Sequence, residues 1–231
     1  MPVPALSGEL HFLDVLAPGQ LEALQALGRR RRHDVGEALL HEHDPGDVVL
    51  VLLAGRVKIT CVTSSGREAV LGIRETGDLI GEMSAMGDEP RTATAIALEP
   101  VEVLAVPASA FVGFVDRAPG VAVGLVRVLV RRLADADRKR VEFLAQDTLG
   151  RVCERLLELA ERFGEPGPDG VRVRGPITQE ELAGWTGASR EAVVKALRTL
   201  REHGWIATGR REIVVRDADA LRRRAATPAQ W

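Results

Sequence analysis

The stretch TQEELAGWTGASREAVVKALRTL, residues 178–200, constrains the fold of this 231-residue chain more than any other. Thr178 with Glu181 three residues on is a capping box, so a helix starts at Gln179 and runs to about Trp185. Ala183 is small enough for a second helix to cross closely. Gly187 supplies the tight turn, because a left-handed backbone costs glycine little. Ser189 is a natural N-cap for the next helix. In that helix Val193, Ala196, Leu197 and Leu200 face one way, and Arg190, Glu191, Val194, Lys195 and Arg198 share the opposite side. A solvated charged face alone would not require both caps, the turn glycine and the small crossing residue.

The charged face has a specific chemistry. Arg or Lys donates to guanine O6 and N7, and Glu accepts from cytosine N4. The N-terminal end of such a second helix is the part a helix-turn-helix presents to base edges. Downstream, GWIATGRREIVVRD reads as a hairpin with Arg210 and Arg211 at its tip, a wing that reaches phosphates. The charge balance points the same way. From Asp147 onward there are 15 Lys/Arg against 13 Asp/Glu, and the remainder carries 16 against 20. A nucleic acid, if bound, belongs with the second part of the chain, and a solvated mixed surface accounts for so small an excess about as well.

The rest divides by periodicity. Residues 35–106 read as β: Val57, Ile59 and Cys61 alternate with Lys58, Thr60 and Val62, and Val101, Val103 and Ala105 repeat the pattern. Frequent glycines and the Pro45-Gly46 and Ser65-Gly66 pairs divide the segment into many short strands, as in a small antiparallel barrel or roll. Residues 9–28 form a short helical lead-in. From about Pro119 to Ala145 the spacing becomes three and four, through Val121, Leu125, Val128, Leu129, Arg132, Leu133 and Ala136, which predicts one long helix. Its stripe either covers the β unit or pairs with a second copy, and the stripe alone does not choose. Residues 147–164 form another amphipathic helix, EPGPDG (165–170) a turn-rich loop, and Val171–Arg174 a short strand.

Composition removes several classes. Cys61 and Cys153 are the two cysteines and stand far apart, which argues against a disulfide framework, a cysteine-held cluster or a cysteine-rich zinc site. The start, MPVPALSG, lacks the regions of a signal peptide, and the longest apolar runs are too short to span a bilayer. A reduced, cytoplasmic protein with no membrane partner and no metal is expected. There is no nucleophile–base pair and no Walker loop, so an enzyme is not expected. The competing class is a nucleotide-sensing module whose winged helix binds protein.

Over nearly its whole length the chain resembles the cAMP receptor protein/FNR family of bacterial transcription regulators. ITQEELAGWTGASREAVVKAL is similar to that family's helix-turn-helix, and GDLIGEMSAMGDEPRTATAIALEP (77–100) to the phosphate-binding cassette of cyclic nucleotide-binding domains. The resemblance implies an α+β fold: a β-roll effector domain over 1–117, a dimerisation helix and hinge over 118–146, and a winged helix-turn-helix over 147–231. It implies base contacts from Arg190, Glu191 and Lys195 and phosphate contacts from Thr178, Gln179 and Ser189. Lys195 stands where the family commonly has arginine, so a TGTGA-like half-site is least secure there. In the cassette it implies an effector site at Gly81, Glu82, Met83, Ser84, Arg91 and Thr92. There Gly81 lets the backbone come close, Glu82 accepts from a ribose hydroxyl, and Arg91 and Thr92 bind the phosphate. The family's Thr-Ser pair for adenine falls on Ala136 and Asp137. Ala136 makes no hydrogen bond, and Asp137 accepts from an adenine amino group or a guanine edge. The effector is thus a cyclic nucleotide with cAMP foremost, and cGMP, a cyclic dinucleotide or no effector remain open. By resemblance the partners are a double-stranded DNA operator, a second copy of the chain, and RNA polymerase through the 165–170 loop.

Overall fold

A computed structural model describes residues 10–87, 89–175, 177–209 and 212–227. The chain divides into two compact units: residues up to Ile59 with Ile73–Ala136, and Thr60–Gly72 with Asp137 onward.

The first unit opens with a 3-10 turn at Leu13–Val15 and helix α1 (Pro18–Leu27). Proline suits the first turn of α1, where its missing N–H would have no helical partner. Along the chain follow strands β1 (Arg29–His33), β2 (Ala38–Leu40), β3 (Val48–Ala54), β4 (Val57–Val62), β5 (Glu68–Arg74), β6 (Leu79–Ile80), β7 (Thr94–Ala97) and β8 (Val101–Pro107), the end of β4 and most of β5 falling in the Thr60–Gly72 stretch. They form two four-stranded sheets, ordered β1-β8-β3-β6 and β2-β7-β4-β5. β3 lacks polar alternation because it lies inside its sheet, with Val49, Leu50, Val51 and Leu52 all buried. One apolar cluster gathers Phe12, Val51, Leu79, Phe111 and Val121, and a second gathers Leu50, Leu52, Ile80 and Val103.

Two elements here depart from the sequence reading, which starts the β region at residue 35 and names no helix between 107 and 118. β1 is RRRRH, with no apolar pattern to announce it. Pairing with β8 creates it, in the register Arg29↔Ala105 to His33↔Val101, and it is the outermost strand of its sheet. Helix α2 (Glu82–Gly87) lies in the cassette, and α3 (Ala108–Arg117) buries Phe111, Phe114 and Val115 at helical spacing.

Helix α4 (Pro119–Ala145) has two apolar faces. Val121, Gly124, Leu125 and Val128 are buried. Val123, Val126, Val130 and Leu133 are 52–60 % exposed, at spacings of three, four and three. The first face covers the β unit, as one of the two readings expected; the second has no partner among the described residues.

In the second unit α5 (Thr148–Phe163) starts at Asp147, whose carboxylate accepts from the Gly150 N–H at 2.9 Å. Then come β9 (Gly164–Gly167), β10 (Gly170–Arg174), α6 (Gln179–Thr186), α7 (Arg190–Glu202), β11 (Ile206–Gly209), β12 (Glu212–Val215) and α8 (Ala218–Ala225). The sheet order is β11-β12-β10-β9. Segment 165–170, read as a loop, closes a hairpin in which Val171 faces Pro166 and Gly170 faces Gly167. α8 lies beyond the last element named from sequence; its Ala220, Leu221 and Ala225 are buried. Val152, Leu156, Leu182, Val193, Leu197, Leu200 and Leu221 form one core. Cys153 lies within it, and burial pushes its thiol up to about 12, which makes it a packing residue. Among the described residues no single helix is long and apolar enough to cross a membrane.

Candidate functional site

In the first unit the cassette residues surround a cavity of about 80 Å³. Leu40, Ile59, Leu79, Ile80 and Ala95 give it an apolar wall; Gly81–Ser84, Arg91, Thr92 and Arg132 give it polarity. Of the residues expected at an effector site, Gly81, Glu82, Met83, Ser84, Arg91 and Thr92 all line it. Glu82, Ser84 and Arg91 are buried, whereas Met83 and Thr92 are exposed.

The Arg91 side chain is 2 % exposed. Its guanidinium donates to the carbonyls of Gly81 at 3.1 Å and Val48 at 2.6 Å. Its carboxylate partner is Asp47 at 3.5 Å, a side chain 80 % exposed. Burial therefore lowers the Arg91 pKa despite Asp47 and Asp44 nearby. Gly81 has φ +87°, and a Cβ there would lie 2.2 Å from Arg91 Nη1. The glycine thus serves both the backbone turn and the room for the guanidinium.

The α4 residue in the cavity is Arg132. It donates to Glu82 Oε1 at 2.8 Å, Asp78 Oδ1 at 3.1 Å and the Leu79 carbonyl at 3.0 Å. Burial works to raise the Asp78 pKa, but His11, Arg132 and the Glu75 N–H prevail and hold it at about 2. His11 Nδ1 stands 3.5 Å from Asp78 Oδ1, and this approach raises the His11 pKa. Asp137 is not among the residues lining the cavity; its side chain is 60 % exposed and pairs with Arg140 at 3.3 Å. Five residues past Arg132 a helix has turned through well over a full circle, so the two side chains leave α4 in different directions.

In the second unit the capping box forms as the sequence expects: the Thr178 N–H donates to Glu181 at 2.7 Å and the Glu181 N–H to Thr178 Oγ1 at 3.1 Å. Gly187 ends α6 in the left-handed region, φ 61°. Ser189 Oγ accepts from the Ala192 N–H at 3.2 Å. Val193, Ala196, Leu197 and Leu200 are buried, while Arg190, Glu191, Val194, Lys195 and Arg198 are exposed and line one shallow concavity. Arg198 is held by Glu202 at 2.8 Å. Arg190 and Lys195 form no ion pair among the described residues. Thr178, Gln179 and Ser189 are exposed on the same motif. Arg210 and Arg211 lie outside the described residues.

A CRP-like cAMP-activated global transcriptional regulator of Mycobacterium tuberculosis is 35 % identical over 190 residues, which cover 82 % of this chain and 85 % of that protein. The chain belongs to the CRP/FNR family of transcription regulators. The family model for a cyclic nucleotide-binding domain matches residues 30–118, and that for a Crp-like helix-turn-helix domain matches 150–224. A cyclic AMP receptor protein of Thermus thermophilus is 30 % identical, over 89 % of this chain and 92 % of its own length. In fold, the c-di-GMP-responsive global regulator of Xanthomonas campestris superposes with a TM-score of 0.77 at 24 % identity, over 86 % and 99 % of the two chains.

The cavity thus lies in the cyclic nucleotide-binding domain of a CRP/FNR family member, and the exposed charged face of α7 in its Crp-like helix-turn-helix domain. Sequence reasoning misses Arg132 at the cavity, and with it Asp78, which pairs with Arg132, and His11, which pairs with Asp78. Arg132 sits inside the apolar stripe of α4, where a lone arginine is the available signal, and His11 lies far from the cassette in sequence.

Proposed function

We propose that the chain is a dimeric regulator that binds a cyclic nucleotide, cAMP foremost, in the cavity and a pseudo-palindromic operator through α7. The division proposed is an effector domain over 1–117, a dimerisation helix and hinge over 118–146 and a DNA-binding domain over 147–231. Arg91 carries the reading. It is a buried cation facing a cavity, with backbone carbonyls and one largely solvent-exposed carboxylate, Asp47 at 3.5 Å, as partners. Such a charge is costly unless an anion completes it, and a cyclic phosphate is that anion. The mycobacterial and Thermus relatives are named for cAMP, which supports testing it first.

Effector entry displaces Arg132 from Glu82, leaves Glu82 to accept from the ribose hydroxyl, and draws on α4. Asp137 lies four residues past Leu133, on the strip of Val126, Val130 and Leu133, so it reaches a base from the seam between two copies. The effector biases the hinge at 146–150 through its different affinity for two states of the protein. Arg190, Glu191 and Lys195 then read bases in successive major grooves about 34 Å apart, with Thr178, Gln179 and Ser189 on phosphates. Calorimetry of the purified chain with cAMP, cGMP and cyclic di-GMP, followed by DNA titration with and without the active ligand, tests this. Heat from cAMP and tighter DNA binding in its presence support it. Absence of heat with all three sinks the effector half, and DNA binding indifferent to Arg190→Ala sinks the base-reading half.

A further inference from the structure

We propose that the C-terminal helix α8 is a latch on the α4–α5 junction, closed by Arg224 and Gln146. Its effect on DNA binding rests on the regulator reading; the latch itself does not.

The junction is two residues long. α4 ends at Ala145 and α5 begins at Thr148, so Gln146 and Asp147 are where the backbone departs from helix. The side chains of both are taken up by α8. Gln146 Nε2 donates to the Ala225 carbonyl at 2.8 Å. That carbonyl belongs to the last turn of α8, whose final carbonyls lack helical partners, and among the described residues Gln146 is its donor. Asp147 Oδ2 accepts from Arg224 Nη2, while Asp147 Oδ1 caps α5 at Gly150. The same carboxylate therefore starts one helix and grips another.

α8 is a firm anchor. Leu221 is fully buried and Ala225 nearly so, both within the core that holds α5 and α7. In the same last turn Arg222 pairs with Glu161 of α5 at 3.2 Å and with Asp219 of the first turn of α8 at 2.9 Å. From the opposite side of the junction, Arg151 donates to the Gln146 carbonyl at 2.7 Å and to the Thr186 carbonyl at 2.8 Å. Thr186 is the last residue of α6, next to the glycine turn. A hydrogen-bonded chain thus runs from Ala225 through Gln146 and Arg151 to the helix-turn-helix turn. Any change in junction conformation must break at least one link. Arg224 and Gln146 are positioning residues in this scheme; they touch neither effector nor DNA.

Hydrogen exchange of the full-length chain, read by mass spectrometry on peptides across 143–151, tests the latch without DNA or effector. Arg224→Ala and Gln146→Ala each raise exchange there by about three- to tenfold, the scale of one lost hydrogen bond or ion pair. Peptides across 152–160 and 193–200 keep their protection, and Arg224→Lys restores most of the junction's. Unchanged junction exchange in Arg224→Ala overturns the latch, and so does a uniform rise through the core, which makes α8 packing alone. A second arm compares DNA affinities: Arg224→Ala weakens binding to a two-half-site operator more than to a single half-site. Equal loss on both overturns the coupling of latch to register. If the unaltered chain binds no DNA, the regulator reading fails while the exchange result still decides the latch.

Discussion

Arg91 and Asp78 are buried charges with different partners. Arg91 leans on carbonyls and a solvent-exposed carboxylate, so its energetics improve when an anion enters. Arg91→Ala is expected to weaken cyclic nucleotide binding by about tenfold or more in calorimetry, since hydrogen bonds to charged groups contribute about 1.5–3 kcal/mol. Arg91→Lys keeps the charge and loses the fork, and retains part of the affinity. Asp78 is already satisfied, by Arg132, His11 and the Glu75 N–H. Its pKa is lowered to about 2 from 3.8. The stability it supplies, about 2 kcal/mol by linkage, is therefore fully present above about pH 3.8 and is lost as pH falls through about 2. Asp78→Asn is expected to lower the melting temperature at pH 7 and to flatten its dependence below pH 4 in thermal scans. At the other site, Arg190→Ala is expected to relax discrimination at one base pair of the operator, by about 1–3 kcal/mol in competition binding against single-base variants.

Among the elements, α4 decides the most. One face closes the β-roll core; the other exposes Val123, Val126, Val130 and Leu133 in a register that repeats every seven residues. That spacing fits a seam between two parallel helices. Leu133→Glu is expected to shift the chain from dimer to monomer in sedimentation velocity, with its far-ultraviolet spectrum unchanged. The helix also shows what a sequence discloses. Its extent was legible because spacings of three and four persist without a break from Val121 onward. Its two destinations were not, because an apolar stripe names no partner. The α6–α7 pair was legible nearly residue by residue: capping box, left-handed glycine and Ser189 cap are local chemistry. β1 and α8 were not, since arginine runs carry no strand or helix signature and both elements depend on partners distant in sequence, β8 and α5. The cavity's cassette was legible through resemblance, but Arg132 reaches it from some fifty residues downstream in the chain.

For the molecule as a whole, the formal charge of −2 means that DNA attraction comes from the placement of charge rather than its sum. Operator affinity is expected to fall by about a thousandfold or more between roughly 50 and 200 mM salt, measured by fluorescence anisotropy. Inserting about half a helical turn between half-sites is expected to abolish two-site binding, because a paired protein presents its recognition helices on one side of the duplex.

The outermost strand, β1, carries four consecutive arginines, of which Arg30 and Arg32 are tied to Glu102. A free strand edge invites addition of a like strand, the route by which sheets grow into fibrils. A neighbouring molecule arriving edge to edge would set its own guanidinium row against this one, and opposed like charges destabilise a strand pair. The chain thereby guards its own sheet from runaway self-assembly.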